Sequence, residues 1–228
     1  PYAALFAWLD GTAAKPQPAT DLVFRPVMLS TPVGEGDLDK LDPKDFAAEW
    51  KWDGIRIQAV CSGGAARLYS RSGDDITASF PDVVAAFDFD GVIDGELLVG
   101  TTARTGGQAR TFSDLQQRLN RKTVSTKMQR DYPAMIRAYD LLIDKGEDVR
   151  ELPFSARRAR LEACVETLPP ERFDLSPLVG FEDWDALERL RAEPPDPVIE
   201  GVMIKRRDSA YVPGWPKGPW FKWKRDPY

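Results

Sequence analysis

Residues 47–61 read AAEWKWDGIRIQAVC. Two strand-like runs, Ala47 to Trp52 and Arg56 to Cys61, flank the dipeptide Asp53-Gly54. Asp-Gly is the chemistry of a tight return, so the sequence predicts a hairpin with Lys51 at a strand end, where a ligand can reach it. Working outward, the same texture recurs at Arg67 to Ser70, Val92 to Val99, Ala134 to Leu142, Val198 to Lys205 and Trp220 to Lys224. Each reads as a strand bounded by turn residues, and Ser62-Gly63-Gly64 reads as a hairpin turn. Helical patterns are fewer: Phe80 to Phe87, Phe112 to Leu119, Ser155 to Thr167 with Ser155 as N-cap, and Glu182 to Ala192 opened by Glu182 or Asp183. Many strands with few, unevenly placed helices predict an α+β fold, antiparallel β-sheets flanked by helices, rather than a doubly wound parallel sheet.

The chain has 228 residues, 43% of them hydrophobic, which suffices for a core and argues against disorder. Residues 11–20 (GTAAKPQPAT) have linker composition, so 1–20 is expected to be a linker remnant and 21–228 the compact domain. The start carries neither an initiator Met nor a signal-peptide pattern, and the chain is expected to be a piece of a larger protein. No apolar run approaches the roughly 20 residues of a membrane span, so no membrane partner is expected. With no His, Ser-His-Asp units, His-ligated zinc and a histidine general base are excluded. Two Cys cannot form a four-thiolate site within the chain, and they fit a reduced, cytoplasmic setting. Chemistry falls to Lys, Arg, Asp, Glu, Tyr, Ser or a hard metal ion.

The net charge of −5 hides two basic stretches. One runs from Arg104 through Arg110, Arg118, Arg121 and Lys122 to Arg130; the other begins at Lys205. Such stretches suit an anionic ligand confined to one face, or simply a solvated basic surface. Within the strands, Lys51 lies between Trp50 and Trp52, whose desolvation favours the neutral, nucleophilic amine. On spacing alone a surface lysine at a hairpin reads better. Asp94 and Glu96 fall on one face of an otherwise apolar strand, and Glu200 stands alone in another. Buried carboxylates need a cation or a partner. Lys222 and Lys224 share a face opposite Phe221 and Trp223; an anion between the two ammoniums would be stabilising, though a lysine face in water also fits.

The order of these elements is more specific than any one of them: Lys51-x-Asp-Gly-x-Arg56, Ser70-Arg71-Ser-Gly, Asp94-Gly-Glu96-Leu, Tyr139-Asp140, Glu200-Gly-Val-Met-Ile-Lys205, then Lys222-x-Lys224. Together they resemble the covalent nucleotidyltransferases and, most closely, the adenylation domain of ATP-dependent DNA ligases. The resemblance runs from about residue 21 to the C-terminus. Tyr211-Val-Pro-Gly214 also looks like the ligases.

The resemblance implies an ATP-grasp-like adenylation fold and the following roles. Lys51 takes AMP covalently from ATP, with Mg2+ or Mn2+ as the metal. Glu49 reads the adenine amino group, and Tyr139 stacks on the base where ligases often have Phe. Arg56 and Arg71 hold ribose or phosphates, including the 5′-phosphate at a nick. Glu96 serves the ribose hydroxyls and, with Glu200, the metal. Lys222 and Lys224 meet the α-phosphate. Ser72 departs from the usual Asn. The implied partner is nicked double-stranded DNA, contacted by Arg56 and Arg71 and mainly by Arg104, Arg110, Arg118, Arg121 and Lys122. These five are expected on a mobile loop and short helix over the site. A C-terminal OB-fold and an N-terminal DNA-binding domain are expected to be missing from the chain. An RNA ligase, a capping-type guanylyltransferase and a non-catalytic nucleic-acid-binding module are the alternatives.

Overall fold

The computed structural model describes Asp10 and residues 22–225, except 120 and 122. Apart from Asp10, the expected linker over 1–20 lies outside the described residues, as does Lys122. Eleven strands are present among them: β1 (Thr31–Pro32), β2 (Phe46–Trp52), β3 (Ile55–Ser62), β4 (Ala65–Ser70), β5 (Gly91–Val99), β6 (Ala134–Asp144), β7 (Glu147–Asp148), β8 (Phe173–Leu175), β9 (Leu178–Val179), β10 (Ile199–Arg206) and β11 (Trp220–Lys224). The helices are α1 (Pro81–Val84), α2 (Phe112–Gln116), α3 (Thr126–Asp131), α4 (Phe154–Thr167) and α5 (Trp184–Ala192).

The strands form two sheets. One has the order β1-β11-β10-β2-β9, the other β4-β3-β5-β6-β7, with β8 also paired to β6. Most pairs are antiparallel, but β1–β11 and β6–β8 are parallel, so the sheets are mixed within the predicted α+β class. β5 lies between β3 and β6 and is buried at every position but Glu96. That explains its near-continuous apolar sequence.

The predicted Asp53-Gly54 hairpin is corrected by the structure. β2 belongs to the five-stranded sheet and β3 to the six-stranded one, so this dipeptide carries the chain from one sheet to the other. The crossing is tight: a Cβ on Gly54 would lie 2.6 Å from the Leu97 carbonyl oxygen, which only glycine avoids. Ser155 is likewise not the N-cap of α4. The helix starts one residue earlier, after extended Pro153, and the Ser155 amide donates to the Arg207 carbonyl at 3.0 Å. Asp183 does cap α5, accepting from the Ala186 amide at 2.7 Å. The helices expected at Phe80 to Phe87 and Phe112 to Leu119 are shorter than predicted.

Packing holds the sheets in register with each other. Ile57, Leu97 and Ile136 of the six-stranded sheet share a core with Val83, Leu115, Leu161 and Val165 of α1, α2 and α4. Phe46, Val202 and Ile204 of the other sheet pack on Leu187 of α5. A third cluster joins Val60, Val92 and Leu142 of one sheet to Trp220 of the other, with Met28 and Tyr211. Tyr211 and Trp220 meet edge to face at 5.6 Å, a contact worth about 0.5–1.5 kcal/mol beyond its burial. Arg157 of α4 reaches β6 through two hydrogen bonds to Asp140, at 2.8 and 3.0 Å, both side chains being fully buried.

Candidate active site

Both sheets contribute to one cavity of about 740 Å³. From the five-stranded sheet come Glu49 and Lys51 on β2, Glu200 and Lys205 on β10, and Lys222 and Lys224 on β11. From the other come Arg56 on β3, Glu96 on β5 and Tyr139 on β6, with Arg71 just past β4. The nine residues expected to serve the nucleotide or the metal therefore line one cavity, and Lys205, which had no expected role there, lines it with them.

The side chain of Lys51 is 22% exposed, and its amine forms an ion pair with Glu200 Oε1. Lys224 Nζ approaches the other oxygen, Oε2, at 3.2 Å. β2 and β10 are antiparallel neighbours, and Lys51 pairs with Gly201, which sets Glu200 beside it. Burial works against ionisation of Glu200, but Lys51 and then Lys224 outweigh it and hold the carboxyl below its usual range. Lys222 points into the same cavity with no ion partner among the described residues. The alternation predicted for β11 holds: Phe221 and Trp223 turn into the α5 core instead.

Glu96 faces the cavity from the centre of β5. Burial pushes its carboxyl up to about 8, against the pull of Lys51 and Arg56. Its strand neighbour Asp94 is fully buried and occupied: Arg56 Nε donates to Oδ1 at 3.1 Å and Nη2 to Oδ2 at 2.6 Å. Arg56 Nη1 donates to the Met28 carbonyl at 2.7 Å. Tyr211 Oη donates to Asp94 Oδ2 at 2.7 Å and accepts from Arg56 Nη2 at 3.0 Å. Burial disfavours the Arg56 cation, yet Asp94 more than offsets it and raises its pKa. Arg56 is thus fixed in orientation by the protein's own groups.

At the inner end, Glu49 is 1% exposed and clamped by two cations. Arg158 Nη1 donates to Oε1 at 2.8 Å, and Lys205 pairs with Oε2. Burial raises the Glu49 pKa, and Lys205 and Arg158 oppose that rise. The Lys205 ammonium lies 4.9 Å from the Tyr139 ring centre and 4.7 Å from that of Trp220. Arg158 escaped the sequence reading. Its signal was the helical spacing of Phe154, Arg157, Arg158, Leu161 and Val165, which places two arginines on the buried stripe of α4.

Glu96 and Glu200 offer hard oxygen donors, and no cluster of three His, Cys, Asp or Glu exists among the described residues. That set fits a divalent ion such as Mg2+, which binds through one or two carboxylates and substrate phosphates rather than in an all-protein cage.

The expected nucleic-acid arginines are only partly available. Arg118 is corrected: it is fully buried, donating to Asp82 at 2.6 Å and to the Ser79 and Tyr132 carbonyls, so it cannot reach a polymer outside. Arg104 Nη1 serves the fold as well, donating to the carbonyls of Val165, Leu168 and Phe173 where α4 ends. Arg110 and Arg121 are exposed, each donating to one nearby carbonyl, Asp131 and Gln117 respectively.

Comparison with known proteins finds relatives in sequence and in shape. A "Probable DNA ligase" of Koribacter versatilis is 34% identical over 230 residues, covering 90% of this chain and 39% of that protein. A "DNA ligase" of Natronomonas pharaonis is 31% identical, covering 90% of this chain and 37% of its own length. The chain thus spans about two fifths of the curated relatives it matches. The solved "mycobacterial DNA ligase D complexed with ATP and MES" superposes with a TM-score of 0.67 at 30% identity, over 90% of this chain and 61% of that one. The Chlorella virus DNA ligase-adenylate shares the fold at 18% identity, with a TM-score of 0.63 over 88% of this chain and 69% of that one. Residues 27–224 match the family model described as "ATP dependent DNA ligase domain", and the chain belongs to that family.

Proposed function

We propose that this domain transfers AMP from ATP to Lys51 and then to the 5′-phosphate of a DNA nick. The observation that supports it is the convergence of Lys51, Glu96, Glu200, Lys222 and Lys224, spread over the whole domain, on one cavity from two sheets. Adenine would enter between Tyr139 and Glu49, whose carboxyl oxygen accepts from the exocyclic amine. The ribose would lie at Glu96 and the fixed guanidinium of Arg56. Lys222 and Lys224 would neutralise the α-phosphate.

Lys51 has to shed a proton and its contact with Glu200 before it attacks. Its nitrogen then bonds to the α-phosphorus, the bond to the β-phosphate oxygen breaks, and pyrophosphate leaves with the electron pair. The product is a lysyl phosphoramidate. Next, a 5′-phosphate oxygen held by Arg71 attacks the same phosphorus, the P–N bond breaks and the lysine nitrogen recovers a proton. Attack of the 3′-hydroxyl then releases AMP and closes the strand. Glu200 and Glu96 would hold Mg2+ or Mn2+. When bound, that ion neutralises phosphate charge. Charge placement and alignment are the main means of catalysis in such transfers.

The relatives' greater length supports flanking domains that complete the grip on DNA, and we take an OB-fold to be one of them. No described helix is long and apolar enough to cross a membrane. Incubation with ATP and Mg2+ should give an AMP adduct in the intact mass spectrum, absent with GTP and absent in Lys51→Ala. A GMP adduct would favour the capping-type reading. A full-occupancy adduct in Lys51→Ala would refute the assignment of the nucleophile.

A further inference from the structure

Between β10 and β11 the chain forms a loop, Val212-Pro-Gly-Trp-Pro-Lys-Gly-Pro219, that reaches the mouth of the cavity. Trp215 at its tip is 73% exposed, and Val212 beside it is 45% exposed. An indole left this open contributes little to folding, because apolar burial is what makes aromatic residues stabilising.

The loop does not need Trp215 for its shape. The Gly214 amide donates to the Val27 carbonyl at 2.9 Å, and the Gly214 carbonyl accepts from the Leu29 amide at 2.7 Å. Gly214 and Gly218 have φ of +85° and +97°, conformations that glycine adopts without strain. Pro213, Pro216 and Pro219 fix their own φ angles. Behind the loop, Tyr211 is buried on Asp94 and Arg56. The ring is therefore held out on a stiff support that is anchored to the Arg56 network.

Cations share its loop and the cavity it borders. Arg71, Lys217 and Lys222 have no anionic partner among the described residues, and Arg71, Lys222 and Trp215 all border the cavity. An exposed aromatic ring among free cations is the combination that binds a nucleic-acid strand: charge tracks the phosphates and the ring takes a base face. The cavity interior already offers Tyr139 for a nucleotide's base, so an outward-facing ring suits a larger ligand.

We propose that Trp215 is a stacking platform for the DNA strand at the break, engaging a base or sugar next to the phosphate held by Arg71. This rests on the ligase reading above.

The test uses the chain after incubation with ATP and Mg2+, its adduct state read by intact mass, and a 5′-phosphorylated nicked duplex, with binding followed by fluorescence anisotropy at several salt concentrations. Trp215→Ala should weaken binding by about 5- to 150-fold, the equivalent of about 1–3 kcal/mol per stacked base at 1.4 kcal/mol per decade. Trp215→Phe should retain most of the affinity. The salt slope should stay unchanged in Trp215→Ala, since stacking releases no counterions, whereas Arg71→Ala should lower it by about 0.9 per lost phosphate contact. The proposal is overturned if the wild-type chain does not bind the duplex, if Trp215→Ala binds as tightly as wild type, or if its defect lies in KM for ATP. An AMP adduct with unaltered DNA binding in Trp215→Ala sinks this proposal and leaves the ligase reading standing. No adduct, with the stacking signature intact, does the reverse.

Discussion

Replacing Glu96 by Gln separates what this residue does for chemistry from what it does to stability. In the ligand-free fold, burial raises its carboxyl from 4.5 to about 8. The folded state therefore binds more protons than the unfolded chain between those values, and stability falls as pH rises through the window. At 1.36 kcal/mol per pH unit the loss by pH 9 is bounded at about 5 kcal/mol. Glu96 is half-buried and lines an open cavity, so screening should trim this to about 2–3 kcal/mol. Glutamine does not titrate. The stability difference between Glu96→Gln and wild type should thus grow in favour of the variant from pH 5 to pH 9 and level off above. Urea unfolding at five pH values, with no nucleotide present, measures it. The same variant should form the AMP adduct at least tenfold more slowly. A difference that is flat with pH would refute the account of Glu96 as a carboxylate kept for ligand binding at the expense of the empty fold.

Three other substitutions probe different parts of the design. Glu200→Ala should leave a folded protein, judged by circular dichroism, with adenylation reduced by at least tenfold; an unfolded or fully active variant contradicts its role. Gly54→Ala forces a Cβ to within 2.6 Å of the Leu97 carbonyl oxygen, so it should lower the free energy of urea unfolding by about 1–3 kcal/mol and slow adenylation together. If it affects neither, the crossing is less tight than described. Arg157→Met leaves the fully buried Asp140 without its ion partner and should cost about 3–5 kcal/mol in urea unfolding at pH 7; a loss below 1 kcal/mol would show that Asp140 finds another partner.

The parts of this site that lie in regular strands were legible from sequence. Trp220 to Lys224 alternates, so its lysines had to share a face, and Glu96 and Glu200 stood out as carboxylates in apolar runs. The strands β1, β7, β8 and β9, with two or three residues each, carry no period to detect. Asp53-Gly54 was misread because a dipeptide specifies a local bend, not which sheet receives the next strand. Arg118 shows a second limit. A run of basic residues reads as a surface, while its burial depends on Asp82, 36 residues away along the chain. The clamp of Arg158 and Lys205 on Glu49 was hidden for the same reason.

The crossing at Asp53-Gly54 has a mechanical corollary. Lys51 stands on one sheet, while Glu96, Arg56 and Tyr139, which line the cavity with it, stand on the other. A small slide or rotation of one sheet against the other alters the reach of the amine toward the phosphorus by a similar distance, because the connecting tether is too short to absorb it. The apolar layer of Met28, Val60, Val92, Leu142 and Trp220 then acts as the bearing that sets catalytic alignment. Volume changes in that layer should tune the proposed adenylation before they unfold the protein.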